Sequence, residues 1–469
     1  MLLSVAAVFI GSQMCRSCHV GIYDAYAQTA MAKSSGRVES LAPAEFSAAG
    51  HRYKIANNRL FFDGGSAAID YFIGSNAAGR SYVRAHEGHL FELPVTWYEQ
   101  KQKWDASPGY EKESKIHLTR AVEPSCLQCH SSRVRPVLGT QNRFGEPPFL
   151  ENGVSCERCH GPGSEHVKDP VAAKMVNPAK LEPARRDAVC SQCHLTGEAR
   201  IEKAGRKISD YKAGELLSDY ASYFVSAIGR RDLKVTSHVE KLAASECKMA
   251  TGDVLWCGTC HEPHTGADRS QQACLGCHEK AHNKTERCAG CHMPRKQVVD
   301  AGHGVMTDHS IHLRRKAQAA PAQSSITAFL GTADDRAVGL AYAELGDKRA
   351  REYLLRATPQ DWQVQLRLAV LEPDAAKAAS LYESVLKQNP YATAALVNLG
   401  TFLAQQGRTA EAGKLWERAL AANPGLEEAV LNLSLIRTAK EAQALLRRYL
   451  EVNPVSAKAR QRLAEVELR

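Results

Sequence analysis

The stretch WCGTCHEPHTGADRSQQACLGCHEKAHNKTERCAGCHMPR, residues 256–295, holds three copies of one pattern, Cys-x-x-Cys followed at once by histidine. The copies are Cys257/Cys260 with His261, Cys274/Cys277 with His278, and Cys288/Cys291 with His292. They begin only 17 and 14 residues apart, too close for each to sit in a fold of its own, so whatever they bind must share walls. Four more copies lie upstream: Cys15/Cys18 with His19, Cys126/Cys129 with His130, Cys156/Cys159 with His160, and Cys190/Cys193 with His194. Fourteen of the 15 cysteines obey this rule, and the last 177 residues contain no cysteine.

The spacing has a mechanical meaning. Two thiols separated by two residues can add to the two vinyl groups on one edge of a haem, and the adjacent imidazole folds under the ring to bind iron. A zinc knuckle also uses Cys-x-x-Cys but needs no histidine directly behind each pair. A thioredoxin-like dithiol occurs once or twice in a chain, not seven times. The expectation is seven covalently attached haems c, each with iron held by His19, His130, His160, His194, His261, His278 or His292.

Of the 18 histidines, eleven remain for the sixth coordination position. A histidine a few residues after its own motif lies on the proximal side of that ring and does not easily wrap to the far face. His166, His264 and His282 are therefore expected to reach neighbouring haems. His117, His238, His303 and His309 complete a set of seven distal candidates. His312 reads as a surface or haem-carboxylate contact, and His51, His86 and His89 fall in a strand-like region. Met31 lies in a helical pattern after the first motif and is either a distal ligand or core packing. Cys247, outside the rule, reads as a small buried side chain; a distal thiolate, a regulatory thiol and a cross-link between subunits are the alternatives.

The composition is that of an ordinary folded chain, 44% hydrophobic and 24% charged, and 469 residues allow two or three domains. The formal charge of +9 points to no nucleic acid, because each haem brings two carboxylates that offset it. Residues 1–10 resemble the tail of an export signal without a basic leader, and no stretch approaches the ~18 apolar residues of a membrane span. A periplasmic or extracellular location is expected, with the signal truncated.

The signatures GSQMCRSCHVGIYDAYAQTAMA, FELPVTWYEQKQKWDASPGYE, SCERCHGPGSEH, VCSQCHLTGEAR, CGTCHEPH and CAGCHMPR…TDHSI resemble multihaem cytochromes c fused to tetratricopeptide repeats. The haem part is similar to the tetrahaem cytochrome of nitrifiers and, more loosely, to hydroxylamine oxidoreductase and multihaem reductases. The resemblance implies stacked haem pairs, mainly bis-histidine ligation and an exported electron carrier. Relatives often carry histidine where Met31 stands here, which leaves the ligation of one haem open. The lysine-bearing CxxCK of ammonia-forming nitrite reductases is absent, which weighs against nitrite reduction.

Residues 46–112 read as strands, with apolar positions alternating around Asn57-Asn58 and turn signals at Asn76–Gly79 and Glu87-Gly88. KAQAAPAQSS reads as a linker. Pro390 to Pro424 is 34 residues, the tetratricopeptide period, and Leu399, Gly400, Ala412, Trp416 and Ala419 fall on its consensus positions. Gly339, Tyr342 and Gly346 keep the same offsets earlier, and a unit shortened to 30 residues closes at Pro454, giving about three repeats. The expected fold class is mainly α: a haem-packed cytochrome c domain at 11–316 with a small β-meander inserted at 46–112, a linker at 317–328, and a helical solenoid at 329–469. The expected function is electron transfer between redox partner proteins, a carrier rather than an enzyme, with the repeats docking one partner. Two other functions fit the same residues: an oxidoreductase acting on a small nitrogen or sulfur compound at one open haem, and a homo-oligomeric filament built through the repeats.

Overall fold

Asn57 and Asn58, both at positive φ (51° and 53°), turn strand His51–Ala56 back into Arg59–Phe62. Asparagine tolerates this left-handed backbone better than bulkier residues do, so the turn sets the register of the hairpin. A computed structural model describes residues 8–75, 77–113, 115–226, 232–278, 287–311 and 325–468. It is a mixed architecture, 43% helical and 20% strand, so the mainly α expectation is corrected.

The inserted β region is larger than one meander. Ala44–Ala48, His51–Ala56, Arg59–Phe62 and Gly65–Ala68 form one antiparallel sheet. A second, five-stranded sheet contains Ser35–Arg37, Tyr71–Ile73, Arg80–His86, His89–Tyr98 and Lys103–Ala106. Tyr53, Ile55 and Leu60 of the first sheet share a buried core with Tyr82, Leu93 and Val95 of the second. Alternation along His51–Ala56 and Arg59–Phe62 turns one face inward and leaves the other wet.

A further sheet escaped the sequence reading. Ala199–Glu202, Ala221–Ser226 and Ile326–Leu330 pair antiparallel around the fully buried central strand 221–226. The outer strand begins inside the expected linker 317–328, whose residues 317–324 lie outside the described ones. Alanine- and serine-rich composition is a poor guide where a strand is stabilised by the sheet it joins.

Most of the motif helices are short, although the fourth motif closes the 12-residue helix Pro183–His194 and the sixth the eight-residue Ser270–Cys277. Cys156–His160 and Cys288–His292 have five residues and Cys257–Cys260 four, below what a helix needs to persist alone. Among the described residues of 232–311, the buried hydrophobic side chains are Leu233 and Val298.

The helices beyond residue 330 are ordinary by contrast. They pair as Asp335–Glu344 with Ala350–Arg356, Trp362–Leu371 with Ala375–Gln388, Thr393–Gln405 with Thr409–Ala422, and Glu427–Leu435 with Ala439–Val452. Ala457–Glu467 closes the series. There are four pairs, not three; the pair at 362–388 contains no glycine and gave no signature. At Gly400 a Cβ would lie 2.6 Å from Trp416 Nε1, so only glycine lets these helices approach.

The turns between pairs face the rest of the chain. The ring of Tyr391 packs on Gly139. Asn423 Nδ2 donates to Gln141 Oε1 (2.9 Å), and the Gln141 amide donates to the Ala422 carbonyl (3.0 Å). Val455 joins the core of the β region. Arg84, 7% exposed, donates to the carbonyls of Val452 (2.9 Å) and Glu451 (3.1 Å), and Arg448 pairs with Glu87 at 2.7 Å. A guanidinium at the carboxyl end of helix Ala439–Val452 satisfies orphan carbonyls and opposes the helix dipole. Arg84→Ala should destabilise the chain by about 2 kcal/mol or more. Limited proteolysis should then release the repeats at a lower temperature than in the wild type.

Candidate functional site

Four contacts bring cysteines of different motifs together. Cys15 and Cys156 lie close enough to shift each other's thiols, as do Cys129 and Cys193, and Cys190 and Cys257, and Cys288 raises Cys274. Within the pair Cys129/Cys193 this proximity pulls the Cys129 thiol down to about 7 and pushes Cys193 well up.

The residues inside the motifs carry much of this arrangement. Glu157, of CERCH, is 1% exposed and accepts hydrogen bonds from the amides of Ile10 (2.9 Å), Gly11 (2.8 Å) and Gly163 (2.8 Å). It thereby holds the chain entering the first motif against the third. Arg158 Nη2 donates to the Gln128 carbonyl, and Gln192 Nε2 to the Arg158 carbonyl, both at 3.3 Å, linking the second, third and fourth motifs. Sequence reading passed over these side chains; a polar residue between two buried cysteines was the available signal.

The histidines converge as two pairs and one cluster of four, in which His238 and His309 also meet at 4.7 Å between ring centres. The rings of His19 and His166 have centres 6.4 Å apart and planes within 14°, and His160 and His264 lie 5.8 Å apart within 8°. His194 and His238 are 5.2 Å apart, edge to face, and His261 and His309 are 6.1 Å apart at 35°. His166 and His264 thus face the histidine of another motif, not their own. A metal ion sits ~2 Å from an imidazole nitrogen, so two rings across one ion would have centres about 6 Å apart; His19/His166, His160/His264 and His261/His309 have that spacing, and His194/His238 is closer. Among the described residues no three histidine, cysteine or carboxylate groups gather as a tetrahedral ion requires.

Second contacts set the tautomers. His160, His166 and His309 turn Nδ1 to the carbonyls of Val176 (2.7 Å), Ala173 (2.8 Å) and Thr307 (3.0 Å), which leaves Nε2 available to a metal. Burial pushes His130 down to about 4 and His238 to about 3, keeping both in the neutral form that binds iron.

The other candidates lie elsewhere. His303 Nε2 is engaged by Asp105 Oδ2 at 2.7 Å, and its ring meets Tyr98 edge-on. His117 stacks on Tyr110, 4.8 Å between centres. His282 and His312 fall outside the described residues. Helix Val20–Tyr26 ends before Met31, which sits in a turn whose carbonyl accepts from the Val154 amide at 2.9 Å. Cys247 is half-buried on helix Glu246–Thr251, its carbonyl accepting the Thr251 hydroxyl.

The family profile described as "Cytochrome c554 and c-prime" matches residues 95–161, and "Tetratricopeptide repeat" matches 369–434. The C-type polyheme cytochrome OmcC of Geobacter sulfurreducens is 24% identical over 164 residues, 31% of this chain. The match spans 21% of that protein's length. Among solved structures, the outer cell wall cytochrome OcwA aligns over 88% of this chain and 99% of its own, at 15% identity and TM-score 0.45. The undecaheme cytochrome from the S-layer of Carboxydothermus ferrireducens aligns over 86% and 70%, at 15% identity and TM-score 0.34. The chain thus carries a segment similar to multihaem cytochromes c and, on its C-terminal side, one similar to tetratricopeptide repeats, and the cytochrome match implies covalently bound haem c.

Glu157→Ala strands three amides at once. It should cost about 3 kcal/mol and accelerate hydrogen exchange at Ile10, Gly11 and Gly163, read by mass spectrometry.

Proposed function

We propose that the chain carries seven haems c, one per CxxCH motif, and passes electrons between redox partner proteins outside the cytoplasm. Bound haem c supplies a one-electron iron couple, and closely spaced haems pass electrons from one to the next. The observation that carries the reading is the cross-linking of motifs. The cysteine contacts join the first motif to the third, the second to the fourth, the fourth to the fifth and the sixth to the seventh. The His160/His264 pair joins the third to the fifth. The exposed Cys18, Cys126, Cys277 and Cys291 put the first, second, sixth and seventh motifs where partners reach.

In this reading His19/His166, His160/His264, His194/His238 and His261/His309 hold four of the irons, and Met31, His117, His282 and His303 are the remaining distal candidates. The cytochrome part spans 11–316 and the repeats 329–469. With the inter-repeat turns turned inward, the groove between helices Ala375–Gln388 and Thr393–Gln405, lined by Tyr382, Asn398, Thr401 and Phe402, offers a partner surface. The apolar tail at 1–10 and the covalent attachment chemistry support export.

A second reading is one open haem that reacts with a small nitrogen or sulfur compound; among the described residues His130 and His278 are in none of these histidine ring pairs, which makes the second and sixth motifs its candidates.

Purified holoprotein should give seven haems per chain by mass and by haem assay. His166→Ala, His238→Ala, His264→Ala and His309→Ala should each turn one haem high-spin in the electron paramagnetic resonance spectrum, and His303→Ala none. Carbon monoxide binding to one haem in seven of the wild type would support the second reading, and none the first.

A further inference from the structure

Among the paired histidines, His160, His166 and His309 present Nδ1 to an uncharged main-chain carbonyl. His264 is different. Its Nδ1 lies 3.4 Å from Glu262 Oε1, and its own amide donates to the same oxygen at 3.4 Å. The other carboxylate oxygen, Oε2, is 3.3 Å from Arg269 Nη2. Glu262 occupies the second place of CHEPH, directly after His261, so one side chain joins the fifth motif to the ring that faces His160.

We propose that Glu262 is a positioning residue that lowers the reduction potential of the haem held between His160 and His264. The inference rests on that pairing. A carboxylate 3.4 Å from the ring, where the other rings meet an uncharged carbonyl, stabilises positive charge on the imidazole and the iron it would hold, and so favours ferric over ferrous iron. Arg269 works against it by neutralising part of the carboxylate charge. The side chains of Glu262 and His264 are 31% and 41% exposed, so solvent screens the effect without removing it. As a surface ion pair Glu262–Arg269 contributes little to folding, and its value lies in the potential it sets.

The test is a redox titration of the intact holoprotein, followed optically and by paramagnetic resonance. Glu262→Gln should raise the potential of a single component by about a tenfold change in its ferric/ferrous ratio, ~59 mV for one electron. Arg269→Gln should move the same component down. Both variants should keep full haem content and low-spin iron. Titrations that superimpose on the wild type would overturn the proposal, and so would a Glu262→Gln protein that loses haem or turns high-spin, since the role would then be structural. His264→Ala separates the two levels. One new high-spin haem upholds the pairing, so that unmoved potentials in Glu262→Gln then count against the inference alone; no spin change in His264→Ala removes the pairing and the inference with it.

Discussion

Three of the seven Cys-x-x-Cys-His motifs lie between residues 232 and 311, where the described chain buries Leu233 and Val298 and no other hydrophobic side chain. Side-chain packing on that scale does not offset the conformational entropy of ordering such a length of chain. The motif helices of four or five residues add nothing that would persist alone. Haem c bound at these motifs, as proposed, would resolve the difficulty, because a large flat apolar ring tethered through two thioethers and an imidazole brings its own core. The rest of the molecule follows from this constraint: the loops need only connect, orient and enclose.

The β region and the repeats answer a different need. Each has a dense core of its own, built on residues such as Ile55, Leu60 and Val95 in one and Leu396, Trp416 and Ala419 in the other. They also hold one another. Arg84 reaches the carboxyl end of helix Ala439–Val452, Asn423 meets Gln141, and Phe224 in the central strand 221–226 shares a core with Leu340 and Ala341 of the first repeat helix. The repeats are therefore seated along the edge of their inter-repeat turns, and the grooves between their helices stay open to other proteins.

Local signals were legible where local physics decides. Asn57-Asn58 predicted a hairpin because few residues accept positive φ, and the 34-residue interval from Pro390 to Pro424 predicted a helix pair because Gly400 and Trp416 must meet. The strand at 326–330 was not legible, since it exists through pairing with residues 223–226, a hundred positions away. The pair at 362–388 was missed because it contains no glycine to mark a close approach of its helices.

The candidate site divides along the same line. Thiol and imidazole spacing is a property of a few consecutive residues, so the sequence alone pointed to covalent haem attachment at CxxCH and named the candidate histidines for the far side. Which histidine faces which depends on how distant segments pack. Only the tertiary structure set His166 against His19 and His264 against His160, tied His303 to Asp105 instead, and placed the Glu262 carboxylate beside one imidazole among several. A ring's partner is fixed by position in space to within an ångström or so, and no short-range pattern in a chain of 469 residues carries that information.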